Sequence, residues 1–244
     1  MKTINYSWSH KLTGLGVIPQ MSHFAIDGVS FPLEKYTSII SNDYHYTACP
    51  VWQHKANRTY LVRSPISFEF SFNKNPMGEY GILWDMKNNH LKFDDVVRCD
   101  FGWNNAEQAA LQINHPTLAM WTKEKNIWYE VRPHAQTSAK NNFFAIGGWF
   151  NLSAWQRPSA FGMHVYDMTK PVKVNRGDVL FEVCFYSTNL DDKYKLVEHD
   201  EIPEKEWRRM VKTSNVKEFV KNFTKHLFSK QEEKKCPFAF LFNK

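Results

Sequence analysis

A strict alternation of apolar and polar side chains over residues 66–72 is the feature that most constrains the fold. Its apolar positions are Ile66, Phe68, Phe70 and Phe72. Because successive side chains of a β-strand point to opposite faces, this pattern predicts a strand with one face buried in a core. The turn-rich residues 73–78 that follow end the strand.

Further strand signals recur at intervals of about ten residues, a spacing typical of β-sandwiches and barrels. Candidate strands cover residues 59–63, 80–84, 109–114, 118–121, 127–132, 143–152, 161–166, 172–174 and 179–187. No glycine-rich loop follows a candidate strand and opens a helix, which argues against a dinucleotide-binding or P-loop domain. The sequence therefore predicts an antiparallel β-sandwich or barrel.

The pattern changes from strands to helices after residue 200. Pro203 is well placed to open a helix, with Glu204 and Glu206 in its first turn. A second helix is expected to carry the apolar stripe Val216, Phe219, Val220, Phe223 and Leu227. We predict two regions: a β-sandwich domain with an irregular N-terminal segment at residues 1–200, and a basic helical extension with a hydrophobic tail at residues 201–244.

Charge is concentrated in this extension. It carries eleven Lys and Arg against six Asp and Glu, which is five of the six positive charges in the net balance. The tail adds Phe238, Phe240, Leu241 and Phe242, which we expect to dock either on the β body or on another subunit. The near-neutral β body argues against nucleic acid as a partner.

Two candidate strands place aromatic and polar side chains on one face, which suits stacking on a sugar or another flat ligand. From the first strand the candidate ligand-binding residues are Trp128, Glu130, Arg132 and His134. From the second region they are Trp149, Asn151, Trp155 and Arg157. The alternative interpretation is a sandwich with tryptophan in its core and a charged outer face.

Metal and nucleophile signals are weak. His115, His134 and His164 do not show the spacing of a cupin-type or oxygenase iron site. Cys49 has His45 and His54 close by in sequence, but an isolated cysteine more often fills a core. We therefore assign no catalytic residue and expect neither a metal nor another cofactor.

The sequence at the N-terminus has no apolar leader, and no apolar run has the roughly 20 residues that span a bilayer. The four cysteines are far apart in sequence and are expected to be reduced thiols. From these features we expect neither secretion through a signal peptide nor insertion into a membrane.

Two stretches are similar to known sequences. The first, residues 47–70, reads TACPVWQHKANRTYLVRSPISFEF. The second, residues 147–185, begins with GGWFN and ends with PVKVNRGDVLFEVCF. Together they resemble a group of uncharacterised proteins of tailed, especially marine, bacteriophages. The resemblance covers about half of the chain, rests on structural residues, and implies a jelly-roll or cupin-like β-sandwich.

From this resemblance we expect a viral accessory or structural protein that acts by binding or assembly, in the host cytoplasm or the virion. Its partner would be a second copy or another phage or host protein, engaged through the C-terminal tail. The alternative function is a cupin-like enzyme acting on a small molecule or a carbohydrate.

Overall fold

Strands dominate the structure, a computed structural model that describes residues 1–8, 32–39, 45–65, 67–85, 97–101 and 109–214. In these ranges far more residues lie in strands than in helices. The protein is therefore mainly β, with several antiparallel sheets and few helices in its described part.

The strands of the described residues are β1 (Lys2–Trp8), β2 (Glu34–Lys35), β3 (Thr59–Arg63), β4 (Phe68–Lys74), β5 (Tyr80–Asp85), β6 (Val97–Phe101), β7 (Ala109–Trp121), β8 (Trp128–Arg132), β9 (Phe143–Ala145), β10 (Gly148–Asn151), β11 (Pro158–Val165), β12 (Val172–Val174), β13 (Val179–Tyr186) and β14 (Tyr194–Glu198). The helices are α1 (Pro50–Ala56), α2 (Ala135–Asn141) and α3 (Glu204–Ser214), with short 3-10 helices at Tyr36–Ile39 and His45–Ala48.

These strands form three sheets within the described part of the chain. The six-stranded sheet has the order β14-β1-β7-β11-β9, with β6 also paired to β7. The five-stranded sheet has the order β10-β8-β13-β3-β2, and the three-stranded sheet has the order β12-β4-β5. Neighbouring strands are antiparallel except that β1 runs parallel to β14.

One hydrophobic core is shared by all three sheets. Trp8 comes from the six-stranded sheet, Tyr129 and Phe185 come from the five-stranded sheet, and Phe70 comes from the three-stranded sheet. Each of these side chains is at most 2% exposed, so the core excludes water from the inner faces of the sheets. Burial of such large apolar surfaces is the main force that holds the layers together.

The alternating segment forms β4, as its pattern predicts. Phe68 and Phe70 are buried, and Phe72 is partly buried against the same core. Trp84 of the neighbouring strand β5 stacks on both Phe68 and Phe70. Ile66, the first residue of the predicted strand, lies outside the described residues.

The single strand predicted at residues 143–152 is wrong, because the structure divides it between two sheets. Strand β9 pairs with β11 in the six-stranded sheet, and β10 pairs with β8 in the five-stranded sheet. The chain crosses between them at Gly147, where an added Cβ would lie 3.1 Å from the carbonyl oxygen of Val131. This close approach to the backbone favours glycine at the crossing.

Helix α3 begins directly after Pro203, and its first turn contains Glu204 and Glu206. Its Trp207 and Met210 pack with Trp121 of β7 in a second, smaller apolar cluster. The predicted second helix and the tail at Phe238, Phe240, Leu241 and Phe242 lie outside the described residues.

Candidate functional site

Strand β8 separates an apolar face from a polar face. Tyr129 and Val131 are 2% and 6% exposed and belong to the core, whereas Trp128, Glu130 and Arg132 lie on the opposite side and are partly exposed. The alternation predicted from the sequence is therefore present in the structure. We call the side with Trp128, Glu130 and Arg132 the outer face of the five-stranded sheet.

Both neighbours of β8 add residues to this outer face. Glu182 of β13 lies directly opposite Arg132, and Trp149 of β10 lies directly opposite Glu130. Directly opposite residues in an antiparallel pair project from the same face of a sheet. The pairing therefore gathers two carboxylates, a guanidinium and an indole on neighbouring positions.

Arg132 is the centre of the polar contacts on the outer face. Its Nη2 donates hydrogen bonds to Oγ1 of Thr59 at 3.1 Å and to Oε2 of Glu182 at 3.2 Å. Its Nε lies 3.7 Å from Oε2 of Glu130. All its hydrogen bonds within the described part of the chain start at Nη2, so Nη1 has no acceptor there.

Tyr186 connects Glu130 to Trp149. The Tyr186 hydroxyl donates a hydrogen bond of 2.8 Å to Oε2 of Glu130, and its ring stacks on the Trp149 indole. The two ring centroids are 5.4 Å apart, and the ring planes differ by 9°. Burial raises the pKa of the Tyr186 phenol well above its ordinary value, and the neighbouring Cys184 and Glu130 side chains raise it further. The phenol therefore keeps the proton that it donates to Glu130.

A pocket of about 370 Å³ opens above Arg132 and Glu182. Its floor is formed by Thr59, Arg132 and Glu182 of the sheet. Its walls are formed by Trp52 and Lys55 of α1 and by Tyr36 of the neighbouring 3-10 helix. The pocket thus lies between the outer face of the sheet and the two short helices that cover part of it.

Helix α1 forms its wall because of its local sequence. Pro50 stands at its N-terminal end, where a missing N–H costs nothing, and Ala56 is buried at its C-terminal end. Trp52 and Lys55 are three residues apart and therefore lie on neighbouring positions of one helix face. The Trp52 ring contacts the Tyr36 ring at 6.2 Å with an angle of 58° between the planes.

The charges around the pocket balance. Lys55 and Arg132 are positive, and Glu182 in the pocket and Glu130 beside it are negative. Lys55 forms no ion pair within 4.0 Å with another described residue. Burial raises the pKa of the Glu182 carboxyl, while the positive charges of Arg132 and Lys55 act in the opposite direction.

The predicted binding residues fall into separate places. The outer face holds four of them: Trp128, Glu130, Arg132 and Trp149. Of these four, Arg132 is the one that lines the pocket. His134 is buried with its ring edge against Tyr36, so it supports the pocket wall from behind. Burial lowers the pKa of His134, and the charge of Arg63 lowers it further.

The other three predicted residues lie away from the pocket. Asn151 is buried, and its Oδ1 accepts a hydrogen bond from the backbone N–H of Ala154, which stabilises the following turn. Trp155 contacts Phe150, whose ring stacks on Tyr129 on the face opposite to Trp149. The Arg157 guanidinium lies over the Trp155 ring at 4.9 Å.

Sequence reasoning missed most of the pocket. Glu182 and Tyr186 alternate with buried core residues in β13, so the same face analysis that selected Glu130 could have found them. Tyr36 and Trp52 line the pocket but precede β8 by more than 75 residues in the chain. No local sequence pattern therefore indicates that they lie near it. Only the packing of the two short helices on the sheet brings them there.

The described residues contain no group of three or more His, Cys, Asp and Glu side chains that could hold a metal ion. They also contain no helix with the length and apolar character needed to cross a membrane.

In comparisons with known proteins, no family model and no curated protein matches the chain. The resemblance to bacteriophage proteins therefore stays a prediction.

Proposed function

We propose that this protein acts by binding, and that its ligand is a small, neutral, polyhydroxylated molecule such as a sugar ring. The observation that carries the proposal is the combination of aromatic walls with a charge-balanced floor. Tyr36 and Trp52 offer ring surfaces, while Arg132 and Glu182 offer hydrogen-bond donors and acceptors side by side.

A sugar ring matches both parts of the pocket. Its C–H faces are apolar and can pack on the rings of Trp52 and Tyr36. Each of its hydroxyls both donates and accepts, so one hydroxyl can accept from Nη1 of Arg132 while another donates to Glu182. Hydrogen bonds to charged groups are stronger than neutral ones, which favours this pairing.

Charges of both signs in the pocket disfavour a strongly charged ligand. An anion would meet the carboxylate of Glu182, with Glu130 beside the pocket, and a cation would meet Lys55 and Arg132. The volume of about 370 Å³ is in the lower part of the range of roughly 300–1,000 Å³ for small-molecule sites, so the pocket suits a compact ligand.

The finer architecture and the biological context belong to the same proposal. We assign the sheets to a β-sandwich of jelly-roll type, and we assign the protein to the accessory or structural proteins of a tailed bacteriophage. Both assignments are supported by the sequence resemblance. Self-association or docking to a phage or host protein through the tail at residues 237–244 is supported by the apolar composition of that segment.

Calorimetric titration of the full chain tests the binding proposal. The probes are glucose, galactose, mannose and N-acetylglucosamine, together with their disaccharides and trisaccharides. We expect at least one probe to bind, and we expect Trp52→Ala to weaken that binding by roughly tenfold, which corresponds to about 1.4 kcal/mol. Val51→Ala is the matched control, because Val51 is 79% exposed on the same helix and does not line the pocket.

Absence of binding by all probes would overturn the proposal, as would equal losses in the two variants. Melting curves of both variants, compared with the wild-type protein, distinguish a loss of binding from a loss of folding.

The alternative of a cupin-like enzyme is favoured by one observation. Glu182 is a carboxyl with a raised pKa in a pocket, which is the property of a general acid, and a second carboxylate, Glu130, lies beyond Arg132. Prolonged incubation of the bound sugar with the protein, followed by mass spectrometry, separates the two functions. Unchanged sugar is the result that binding predicts, and a new product that disappears in Glu182→Gln would establish the enzyme.

A further inference from the structure

The floor of the pocket continues into an exposed aromatic surface. Arg132 lies in the pocket, and Glu130 follows on the same face of β8 at a strand spacing of about 6.7 Å. Trp149 lies beside Glu130 on β10, and its ring stacks on Tyr186 of β13; we call these two residues the aromatic platform. The pocket and the platform are therefore consecutive positions on one face of the sheet.

The platform is exposed and held in place. Trp149 is 57% exposed, and its indole is nearly parallel to the Tyr186 ring. Tyr186 is in turn fixed by its hydrogen bond to Glu130. An exposed indole leaves a large apolar area in water, and covering that area with a ligand is favourable. Because the ring is already oriented, a ligand binds it with little loss of side-chain entropy.

Glu130 provides a polar group between the two aromatic regions. Its Oε2 accepts from Tyr186 and lies near Nε of Arg132. A carboxylate has about four acceptor positions, so Glu130 can still accept from a hydroxyl of a ligand. Aromatic rings on both sides of hydrogen-bonding groups match a chain of linked sugar rings better than a single ring.

We propose that the natural ligand is an oligosaccharide, with one sugar ring in the pocket and the next stacked on Trp149. This inference rests on the proposed function and adds a second subsite to it. Glu130 receives a hydroxyl near the linkage between the two rings. The occupant of the platform is thus the continuation of the ligand that fills the pocket.

Titration with oligomers of increasing length tests the second subsite. The probes are a monosaccharide that binds the wild-type protein and its di-, tri- and tetrasaccharides, measured by calorimetry. We expect the affinity to rise by roughly tenfold from the monosaccharide to the longer probes, which corresponds to about 1.4 kcal/mol. Trp149→Ala should remove most of this gain and should weaken the oligomers more than the monosaccharide.

Tyr166→Ala is the matched control. Tyr166 is also an aromatic residue with 57% exposure and a ring neighbour, Phe144, but it follows β11 of the six-stranded sheet. We expect this variant to keep the wild-type dependence on oligomer length.

The outcomes separate the two proposals. Equal affinity of the wild-type protein for the monosaccharide and all oligomers would overturn the second subsite and leave the pocket proposal intact. An equal loss for monosaccharide and oligomers in Trp149→Ala would also overturn it, because the platform would then not be a distinct subsite. Absence of binding by every probe would overturn the proposed function itself and the second subsite with it.

Discussion

Arg132 and Glu182 face each other across β8 and β13, and Nη2 of Arg132 donates to Oε2 of Glu182 at 3.2 Å. Their side chains are only 16% and 13% exposed, so this ion pair is largely removed from water. Desolvation makes such a pair costly, and it persists where further hydrogen bonds compensate. Here Oγ1 of Thr59 accepts one of these hydrogen bonds from Arg132, and the pair fixes the floor of the pocket.

Removing one member of this pair should destabilise the protein more than removing both. Arg132→Met leaves the Glu182 carboxylate without its closest positive charge, and we expect a loss of roughly 3 kcal/mol in the free energy of unfolding. The double variant Arg132→Met/Glu182→Gln should recover part of this loss. Urea unfolding gives the free energy of unfolding of the wild-type protein, Arg132→Met and the double variant. A double variant no more stable than Arg132→Met would contradict this prediction.

The shared core should be sensitive at Phe70. This side chain is 1% exposed and stacks on Phe68 and Trp84, so Phe70→Ala should cost about 3–5 kcal/mol. Leu83→Ala on β5 of the same sheet is the control, because Leu83 is 55% exposed and should change stability by less than about 0.5 kcal/mol. Chemical denaturation compares the two, and equal losses would mean that Phe70 is not a core residue.

His134 should make stability depend on pH. Its pKa in the folded protein lies below the ordinary value of 6.5, so the folded state holds the ring neutral while the unfolded chain protonates near pH 6.5. The contribution of His134 to stability is therefore complete above pH 6.5 and is lost as the pH falls through its lowered pKa.

Melting temperatures from pH 8 to pH 5 measure this effect. We expect the wild-type protein to lose stability on acidification more steeply than His134→Gln, whose side chain does not titrate. Parallel pH profiles for the two proteins would show that His134 does not contribute.

Deletion of residues 237–244 tests whether the apolar tail docks. A lower melting temperature without a change of mass in solution would mean docking on the same chain, and a change from oligomer to monomer would mean assembly through the tail. Light scattering with size-exclusion chromatography gives the mass. If neither property changes, docking of the tail in the isolated protein is wrong.

Several elements could be predicted from the sequence because local pattern and tertiary environment agree. The bounds predicted for β3 and β12 are those of the structure, and α3 begins directly after Pro203, as predicted. By contrast, the two strands predicted at residues 109–114 and 118–121 are one continuous strand, β7, in the structure. Strand β6 pairs with residues 109–113 and β1 pairs with residues 118–121, so Pro116 lies between the two paired stretches.

The candidate site could be predicted only in part, for a similar reason. Alternation in β8 correctly separates Glu130 and Arg132 from the core, because that signal is contained in five consecutive residues. Trp155 and Arg157 were grouped with Trp149 because they are close in sequence. The chain changes direction after β10, and Trp155 contacts Phe150 on the face opposite to Trp149. The pocket walls depend on contacts between distant segments, for which a single sequence carries no local pattern.

A crystal structure of the protein with its tightest-binding monosaccharide would locate the binding site. We expect one sugar ring in the pocket, packed on Trp52 and hydrogen-bonded to Arg132 and Glu182. A sugar bound elsewhere on the protein, with this pocket unchanged, would show that the pocket is not the binding site.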